Sequence, residues 1–100
     1  MKKNGKKVGD QSFSGVMGNS PRVKIWEFLL IGRNFEYHIK DIAQGADISR
    51  TTCHAEVKKL LGLKIVNKGK KYKGKQLYKL NKESPIARAV LKSFKTMLYK

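Results

Sequence analysis

The sequence predicts a mainly α-helical domain that carries one small β-hairpin. Apolar residues recur at helical spacing in four stretches, and two short runs near residues 65 and 80 have the alternation of strands. Ser-Pro pairs at Ser20-Pro21 and Ser84-Pro85 suit the first turn of a helix. The expected helices cover about residues 21–31, 39–45, 49–62 and 84–98, and the expected strands cover about 65–68 and 76–80.

The first of these helices is apolar on more than one side. Ser20 is expected to cap it, and Pro21 fits the first helical position because its missing N–H would be unpaired there anyway. A helix of this kind is either central in its domain or shared with a partner. The side chains concerned are Val23, Ile25, Trp26, Phe28, Leu29, Leu30 and Ile31.

Residues 37–61 are predicted to form two helices joined by a tight turn. Gly45 is expected to end the first helix with a positive φ, and the Ser49 hydroxyl is expected to cap the second. Phe35 and Tyr37 alternate with polar residues and predict a short strand just before. The apolar face of the first helix consists of Ile39, Ile42, Ala43 and Ala46, and that of the second consists of Cys53, Val57, Leu60 and Leu61.

The opposite face of the second helix has the chemistry that a DNA major groove requires. Its side chains are small or basic, which allows close approach and supplies donors for base edges and phosphates. By helical geometry they are Thr51, Ala55 and Lys58, with Thr52 and Lys59 at the flank and Arg50 in the first turn. The alternative is a solvated surface helix in a small bundle.

The segment after this helix predicts a lysine-rich hairpin. Between Glu56 and Glu83 there are ten lysines and no acidic residue, and residues 69–75 form a predicted tip with two glycines. Such a tip is expected to be a mobile loop that meets the nearest phosphates of a nucleic acid. The alternative, an edge hairpin kept soluble by lysine, accounts for two or three of these lysines only.

Charge and composition restrict the partners and the compartment. The chain has 23 lysines and arginines against 7 acids, a formal net charge of +16, which favours a polyanionic partner. We expect no membrane-spanning segment, because Glu27 interrupts the apolar run 25–31, and no signal peptide. One cysteine suits a reducing compartment, so the expected location is the cytoplasm. Residues 1–19 are expected to be a flexible basic arm, and residues 20–100 to be the domain. Phe13, Val16 and Met17 leave open a short ordered segment within the arm, before the first helix.

The last predicted helix has an apolar stripe that is wide for so small a domain. About 80 ordered residues bury a modest core, and such domains gain stability by association. We expect this helix to form a homodimer contact, although it could instead pack back on its own domain. The residues of the stripe are Ala87, Val90, Leu91, Phe94, Met97 and Leu98.

The order helix, helix-turn-helix, lysine-rich hairpin, helix resembles a winged helix-turn-helix domain. It is especially similar to the small archaeal winged-helix transcriptional regulators of the MarR/ArsR-like group. The similarity covers about residues 18 to 90 and rests on the runs 18–25, 41–43, 48–52, 77–81 and 84–86. The resemblance implies binding of double-stranded DNA through a recognition helix and a wing. The recognition residues would be Ser49, Arg50, Thr51, Thr52, His54, Ala55, Lys58 and Lys59, and the wing residues would be Lys68, Lys70, Lys71, Tyr72, Lys73 and Lys75.

The sequence departs from this family at one backbone position. A glycine usually precedes the pair Ile65–Val66, whereas here the residue is Lys64 and the nearest glycine is Gly62. Either the helix stops early at Gly62, or Lys64 takes a positive φ at a cost of about 1 kcal/mol.

Candidate residues for metal binding or catalysis are too few. Besides His38, only the adjacent pair Cys53 and His54 is present, and the two lie about 100° apart around the helix, so they cannot point at one metal or form a catalytic pair. We therefore expect no metal, no cofactor, no small-molecule ligand and no enzyme activity. The function expected is that of a DNA-binding transcriptional regulator. The alternatives are a nonspecific architectural DNA-binding protein and a winged-helix module that binds protein or RNA.

Overall fold

The computed structural model describes residues 13–98, which form five helices and a two-stranded antiparallel hairpin. The helices that the sequence predicts are all present, with ends that differ by about one residue. The elements in chain order are α1 (Phe13–Met17), α2 (Pro21–Ile31), α3 (Ile39–Ala46), α4 (Arg50–Gly62), β1 (Val66–Tyr72), β2 (Lys75–Leu80) and α5 (Pro85–Leu98).

Helix α2 is central, as its apolar composition predicts, and it packs against α1, α3, α4 and β2. Its Ile25, Leu29 and Leu30 are fully buried, whereas Ile31 at its end is 67% exposed. Fully burying one such side chain contributes about 1.5–3 kcal/mol. The remaining core comes from every other element and comprises Phe13, Ile39, Ile42, Ala43, Ala46, Cys53, Val57, Leu60, Ile65, Val66, Leu80, Ala87 and Phe94.

Side-chain caps fix where the helices begin. The hydroxyls of Ser20, Ser49 and Ser84 accept hydrogen bonds from the backbone N–H three residues later, at 3.2, 3.1 and 3.2 Å. The predicted caps at Ser20 and Ser49 are therefore confirmed. Helix α3 begins with a cap that the sequence did not suggest, because His38 Nδ1 accepts from the N–H of Lys40 at 3.1 Å.

The prediction that Gly45 ends α3 with a positive φ is wrong. The left-handed residue is Asp47, at φ 58°, and the N–H of Ile48 donates to the carbonyl of Ala43 at 3.0 Å. Gly45 lies inside the helix, where a Cβ would stand 2.1 Å from a ring atom of Phe28. Glycine is required at this position for close approach of an aromatic ring, not for a turn.

Both alternatives for the end of α4 occur together. The helix ends at Gly62, and Lys64 takes a φ of 62°. The N–H of Ile65 donates to the carbonyl of Leu60 and the N–H of Lys64 to that of Leu61, both at 3.0 Å. This bonding satisfies two carbonyls at the helix end, which offsets the cost of a left-handed lysine.

A short helix lies inside the segment that was predicted to be a flexible arm. Residues 13–17 form α1, the short ordered segment that the sequence left open, while residues 1–12 lie outside the described part of the chain. Phe13 is 4% exposed and packs edge-on against Phe94, with ring centroids 5.9 Å apart. Contact with α5 explains why so short a helix is ordered.

The hairpin is longer and its tip tighter than the sequence predicts. Strand β1 continues to Tyr72 and β2 begins at Lys75, so the turn contains only Lys73 and Gly74. Their φ angles of 52° and 79° are those of a type I′ turn, which matches the twist of a hairpin. The expectation of a mobile loop over residues 69–75 is therefore wrong. The pairing shifts by one residue between Lys68 and Lys71, a bulge at Gly69-Lys70.

Candidate nucleic-acid interface

The outer face of α4 is basic and open to solvent. Arg50, Thr51, His54, Ala55, Lys58 and Lys59 are all exposed. The Ser49 hydroxyl donates to Thr52 Oγ1 at 2.9 Å and accepts from the N–H of Thr52 at 3.1 Å, so these two side chains are already partnered. Of the residues predicted for this face, the side chains that are free to meet a ligand are thus those of Arg50, Thr51, His54 and Lys58.

The acidic residue of α4 is turned away from that face. Glu56 accepts from Arg22 Nε at 2.8 Å and lies 3.7 Å from Lys59 Nζ. The hydrogen bond from Arg22 holds the pKa of the Glu56 carboxyl below its usual range, against the smaller opposing effect of burial. The pair joins α4 to α2 and neutralises a charge that would otherwise repel an anion beside the helix.

Two sets of hydrogen bonds fix the hairpin to the body of the domain. Tyr37 and Tyr78 exchange two backbone hydrogen bonds of 2.8 and 2.7 Å, an isolated bridge that replaces the short strand expected at Phe35 and Tyr37. The Glu36 carboxylate accepts from the N–H of Lys70 at 2.9 Å, inside the bulge. A Cβ at Gly69 would lie 2.1 Å from that carboxylate oxygen, so only glycine leaves room for it.

The register of the hairpin divides its basic residues between two faces. Lys68 pairs with Tyr78 and Lys71 with Gln76, on the face toward α4, whereas Tyr72 pairs with Lys75 on the opposite face. A groove of about 350 Å³ separates the first face from α4. Its lining joins basic residues of both elements and consists of His54, Val57, Lys58, Leu61, Lys68 and Tyr78. The structure thus brings together α4 and part of the predicted set of hairpin residues.

The lysines of the hairpin tip are exposed and keep their charge available. Lys70, Lys71, Lys73 and Lys75 are exposed, and no ion pair engages them among residues 13–98. Lys73 Nζ stands 5.4 Å from the centroid of the Tyr72 ring. This end of the molecule therefore presents a concentrated positive potential.

Cys53 is a core residue, as its position on the apolar stripe predicts. Its side chain is fully buried, Sγ donates a weak hydrogen bond to the carbonyl of Ile39 at 3.8 Å, and burial raises its pKa to about 11. His54 beside it is exposed. Within the described residues there is no cluster of three or more side chains suited to bind a metal ion. Across the same part of the chain, every helix is too short or too polar to span a bilayer.

Helix α5 contributes to the core of its own chain as well as to the surface. Ala87 and Phe94, which the sequence assigned to a dimer contact, are 1% and 3% exposed, so the single chain already covers both. The ring of Phe13 in α1 packs against Phe94, and Ala87 lies in the core, while the dimer contact of α5 stays a prediction. Val90, Leu91 and Met97 are half-buried against the core, and Ile86 is 53% exposed.

Solved structures share this architecture, although no protein-family model matches the sequence. A search of curated proteins likewise finds no match. A homodimeric winged helix-turn-helix DNA-binding domain from Mycobacterium bovis, a possible ArsR-family transcriptional regulator, superposes with a TM-score of 0.59 at 16% identity, covering 87% of this chain and 75% of that one. The fold is a winged helix-turn-helix. In this fold α3 and α4 are the helix-turn-helix, and the hairpin β1–β2 is the wing.

Two variants of ZitR from Lactococcus lactis have the same fold. One superposes with a TM-score of 0.59 at 16% identity over 96% of this chain. The other, solved in complex with DNA, superposes with a TM-score of 0.57 at 16% identity over 95% of this chain. The chain spans 62% of the length of each variant.

Proposed function

We propose that this protein is a DNA-binding transcriptional regulator, with α4 in the major groove and the wing on the sugar-phosphate backbone. The observation that carries the proposal is the continuous basic surface formed by α4 and the wing. Lys58 and His54 stand on one side of the groove between them, and Lys68 stands on the other. A helix with small and basic side chains can enter a groove about 12 Å wide, and the lysines beside it can reach the bordering phosphates.

We assign the recognition of bases to the first two turns of α4. Arg50 and Thr51 lie at its N-terminal end, where a helix in a major groove contacts base edges most directly. Ala55 leaves space for close approach, and Lys58 reaches bases or the phosphates that border the groove. The wing residues Lys70, Lys71, Lys73 and Lys75 contact backbone alone, which is the same for every sequence.

We further propose that the protein acts as a homodimer in the cytoplasm and belongs to the MarR/ArsR-like group of regulators. The neighbour from Mycobacterium bovis is described as homodimeric and DNA-binding, and one ZitR variant is in complex with DNA. In this chain the dimer contact would use α5, through Val90, Leu91 and Met97, with Ile86 beside them. Two-fold symmetry would double the affinity-determining contacts and fix the spacing of half-sites. If the protein sedimented as a monomer at micromolar concentration, that result would contradict the proposed homodimer.

A comparison of two variants tests whether the protein binds DNA in a sequence-specific way or binds only the sugar-phosphate backbone. Selection from a random duplex pool first supplies the best site. Arg50→Ala should then weaken binding to that site by about 1–3 kcal/mol and weaken binding to random duplex much less. Lys71→Ala, the matched control, should weaken binding to both duplexes about equally and reduce the slope of log affinity against log salt by about one unit.

A nonspecific architectural DNA-binding protein is the second candidate, and the net charge of +16 favours it. If Arg50→Ala weakened binding to both duplexes equally, or if the selection returned no preferred sequence, this second function would replace the first. Weak binding to all duplex DNA would instead indicate a winged-helix module for protein or RNA. No catalytic activity is proposed, since the exposed face of α4 and the wing offers donors and cations without an activated nucleophile.

A further inference from the structure

The face of the wing that points away from α4 carries an exposed aromatic ring. Tyr72 is 60% exposed, and its pairing with Lys75 places both side chains on this outer face. Lys79 and Asn67 pair with each other farther along the strands, on the same face. Neither contact with α4 nor the core of the domain accounts for a large ring in this position.

A second exposed ring stands beside the same face. Phe35, in the loop between α2 and α3, is 66% exposed. It lies at a cavity of about 390 Å³ formed by three separate segments of the chain: residues 33–36, Asn67, and residues 79–83. The lining combines the ring with cations and amides, namely Arg33, Lys79 and Lys82 with Asn34, Asn67 and Asn81.

The electrostatics of this face suit an anionic ligand. Three cations line the cavity, Arg33, Lys79 and Lys82, and Lys82 Nζ also donates to Asn34 Oδ1. The two acids of the cavity are Glu36, which is engaged by the N–H of Lys70 and lies 4.0 Å from Lys79 Nζ, and Glu83. Arg33 uses one donor on the carbonyl of Leu30, at 2.7 Å, and a guanidinium has four more.

We propose that this outer face is a second nucleic-acid site, which binds a short segment of unpaired nucleotides. Phe35 and Tyr72 are the stacking platforms for two bases, the Asn67 amide meets a base edge, and the cations meet the phosphates between them. The Asn81 amide is not available, because its NH2 donates to the carbonyl of Lys64 at 2.7 Å and its oxygen accepts from the N–H of Glu83 at 3.1 Å. Exposed aromatic rings interleaved with lysine are the chemistry by which proteins bind single strands, since every base has a face that can stack. A base within a duplex cannot reach these rings, because both of its faces are covered by its neighbours.

The site is independent of the proposed reading of duplex DNA by α4. The two surfaces lie on opposite faces of the same hairpin, so one molecule can hold a duplex on one face and an unpaired strand on the other. The unpaired strand could be single-stranded DNA or RNA, since the recognised chemistry, a base joined to a sugar phosphate, is common to both. The 2′-hydroxyl distinguishes the two.

The test uses the full chain and three fluorescently labelled dodecamers: oligo-dT, oligo-rU and an abasic strand with the same phosphates but no bases. Anisotropy at about 0.3 M salt suppresses the purely electrostatic binding that so basic a chain gives. The wild type should bind oligo-dT or oligo-rU more tightly than the abasic strand. Whichever of the two it prefers identifies the natural source, and either preference supports the site.

Phe35→Ala is the decisive variant, and Met17→Ala is its control. Loss of one stacking ring should weaken binding to the preferred oligonucleotide about 5- to 150-fold and leave binding to the abasic strand and to duplex DNA unchanged. Met17 is 53% exposed in α1, so its removal takes away exposed apolar surface at a different place and should change nothing. Tyr72→Ala should act as Phe35→Ala does on the single strand.

Two results would overturn the proposal. One is equal affinity of the wild type for the abasic strand and for the strands with bases, which would leave charge as the sole cause of binding. The other is wild-type affinity of Phe35→Ala for the preferred oligonucleotide. Neither result bears on duplex reading by α4, which Arg50→Ala tests separately.

Discussion

The contact between Glu36 and the wing bulge gives the sharpest quantitative prediction. Glu36→Ala removes the acceptor of the Lys70 N–H, which is bonded at 2.9 Å, and the partner of Lys79 at 4.0 Å. A hydrogen bond to a charged group contributes about 1.5–3 kcal/mol, but this one is exposed and water can replace the carboxylate, so the lower value applies. The ion pair with half-exposed Lys79 adds about 0–1 kcal/mol. The variant should therefore lose about 1.5–2.5 kcal/mol of stability.

Gly69→Ala should break the same contact from the other side. A Cβ there would lie 2.1 Å from Glu36 Oε1, and the flexible carboxylate would move away and lose its bond to Lys70. Its cost should accordingly be similar to that of Glu36→Ala, and the double variant should cost no more than either single change. The expected coupling in a double-mutant cycle is about 1.5–2.5 kcal/mol.

Urea unfolding followed by circular dichroism measures all three variants against the wild type. A chain of this size is suited to a two-state analysis, and all variants are compared at one protein concentration because the stability of a homodimer depends on it. An unchanged m-value would confirm that comparison. Losses that add to within about 0.3–0.5 kcal/mol would refute the reasoning, because they would show that Gly69 and Glu36 do not act through one contact.

Three further predictions concern the ends and the interior of α4. Because Arg22 lowers the pKa of Glu56, that pair should contribute stability above the ordinary pKa of a glutamate and lose it as the pH falls through the lowered value. Glu56→Gln should remove this part of the acid dependence of unfolding. Cys53, whose pKa is raised to about 11, should react with a thiol reagent at pH 8 only after urea unfolding. Fast labelling of the folded chain would place the residue at the surface instead. Cys53→Ser should lower the free energy of unfolding by about 1–3 kcal/mol. Lys64→Gly should raise the melting temperature, since it relieves a φ of 62° that costs about 1 kcal/mol. Gly62→Ala should also raise the melting temperature, since that glycine is helical with open space around it. A lower melting temperature in either variant would contradict the assignment of the cap.

The helices could be predicted from the sequence because their signals are local. The hydroxyls of Ser20 and Ser49 each accept from a backbone N–H three residues later in the sequence. The apolar stripe of α4 repeats within the helix itself. The outward, basic face of α4 followed from the same periodicity. Burial of Cys53 and exposure of His54 are consequences of that geometry, so they too could be stated in advance.

The features that escaped prediction depend on residues far apart in the chain. An ordered segment at Phe13 was left open, but its contact with Phe94 was not predicted, and the bulge in β1 is held by Glu36, which is 34 residues before Lys70. Nothing near Lys70 in the sequence signals that carboxylate. The length of β1 was missed for a related reason: its residues are mostly lysine and glycine, and pairing with β2 keeps them extended despite their weak preference for strands.

The edge-on contact of Phe13 with Phe94 has a practical consequence for anyone who shortens or extends this chain. It joins the first described helix to the last, so the cover of Phe94 depends on α1. Removal of residues 1–17 would expose the ring of Phe94, which is now 3% exposed, and create an aggregation-prone apolar surface on α5. A purification tag is therefore better placed on a spacer ahead of α1 than fused directly to Phe13. Truncated versions should be checked for aggregation before any binding measurement is interpreted.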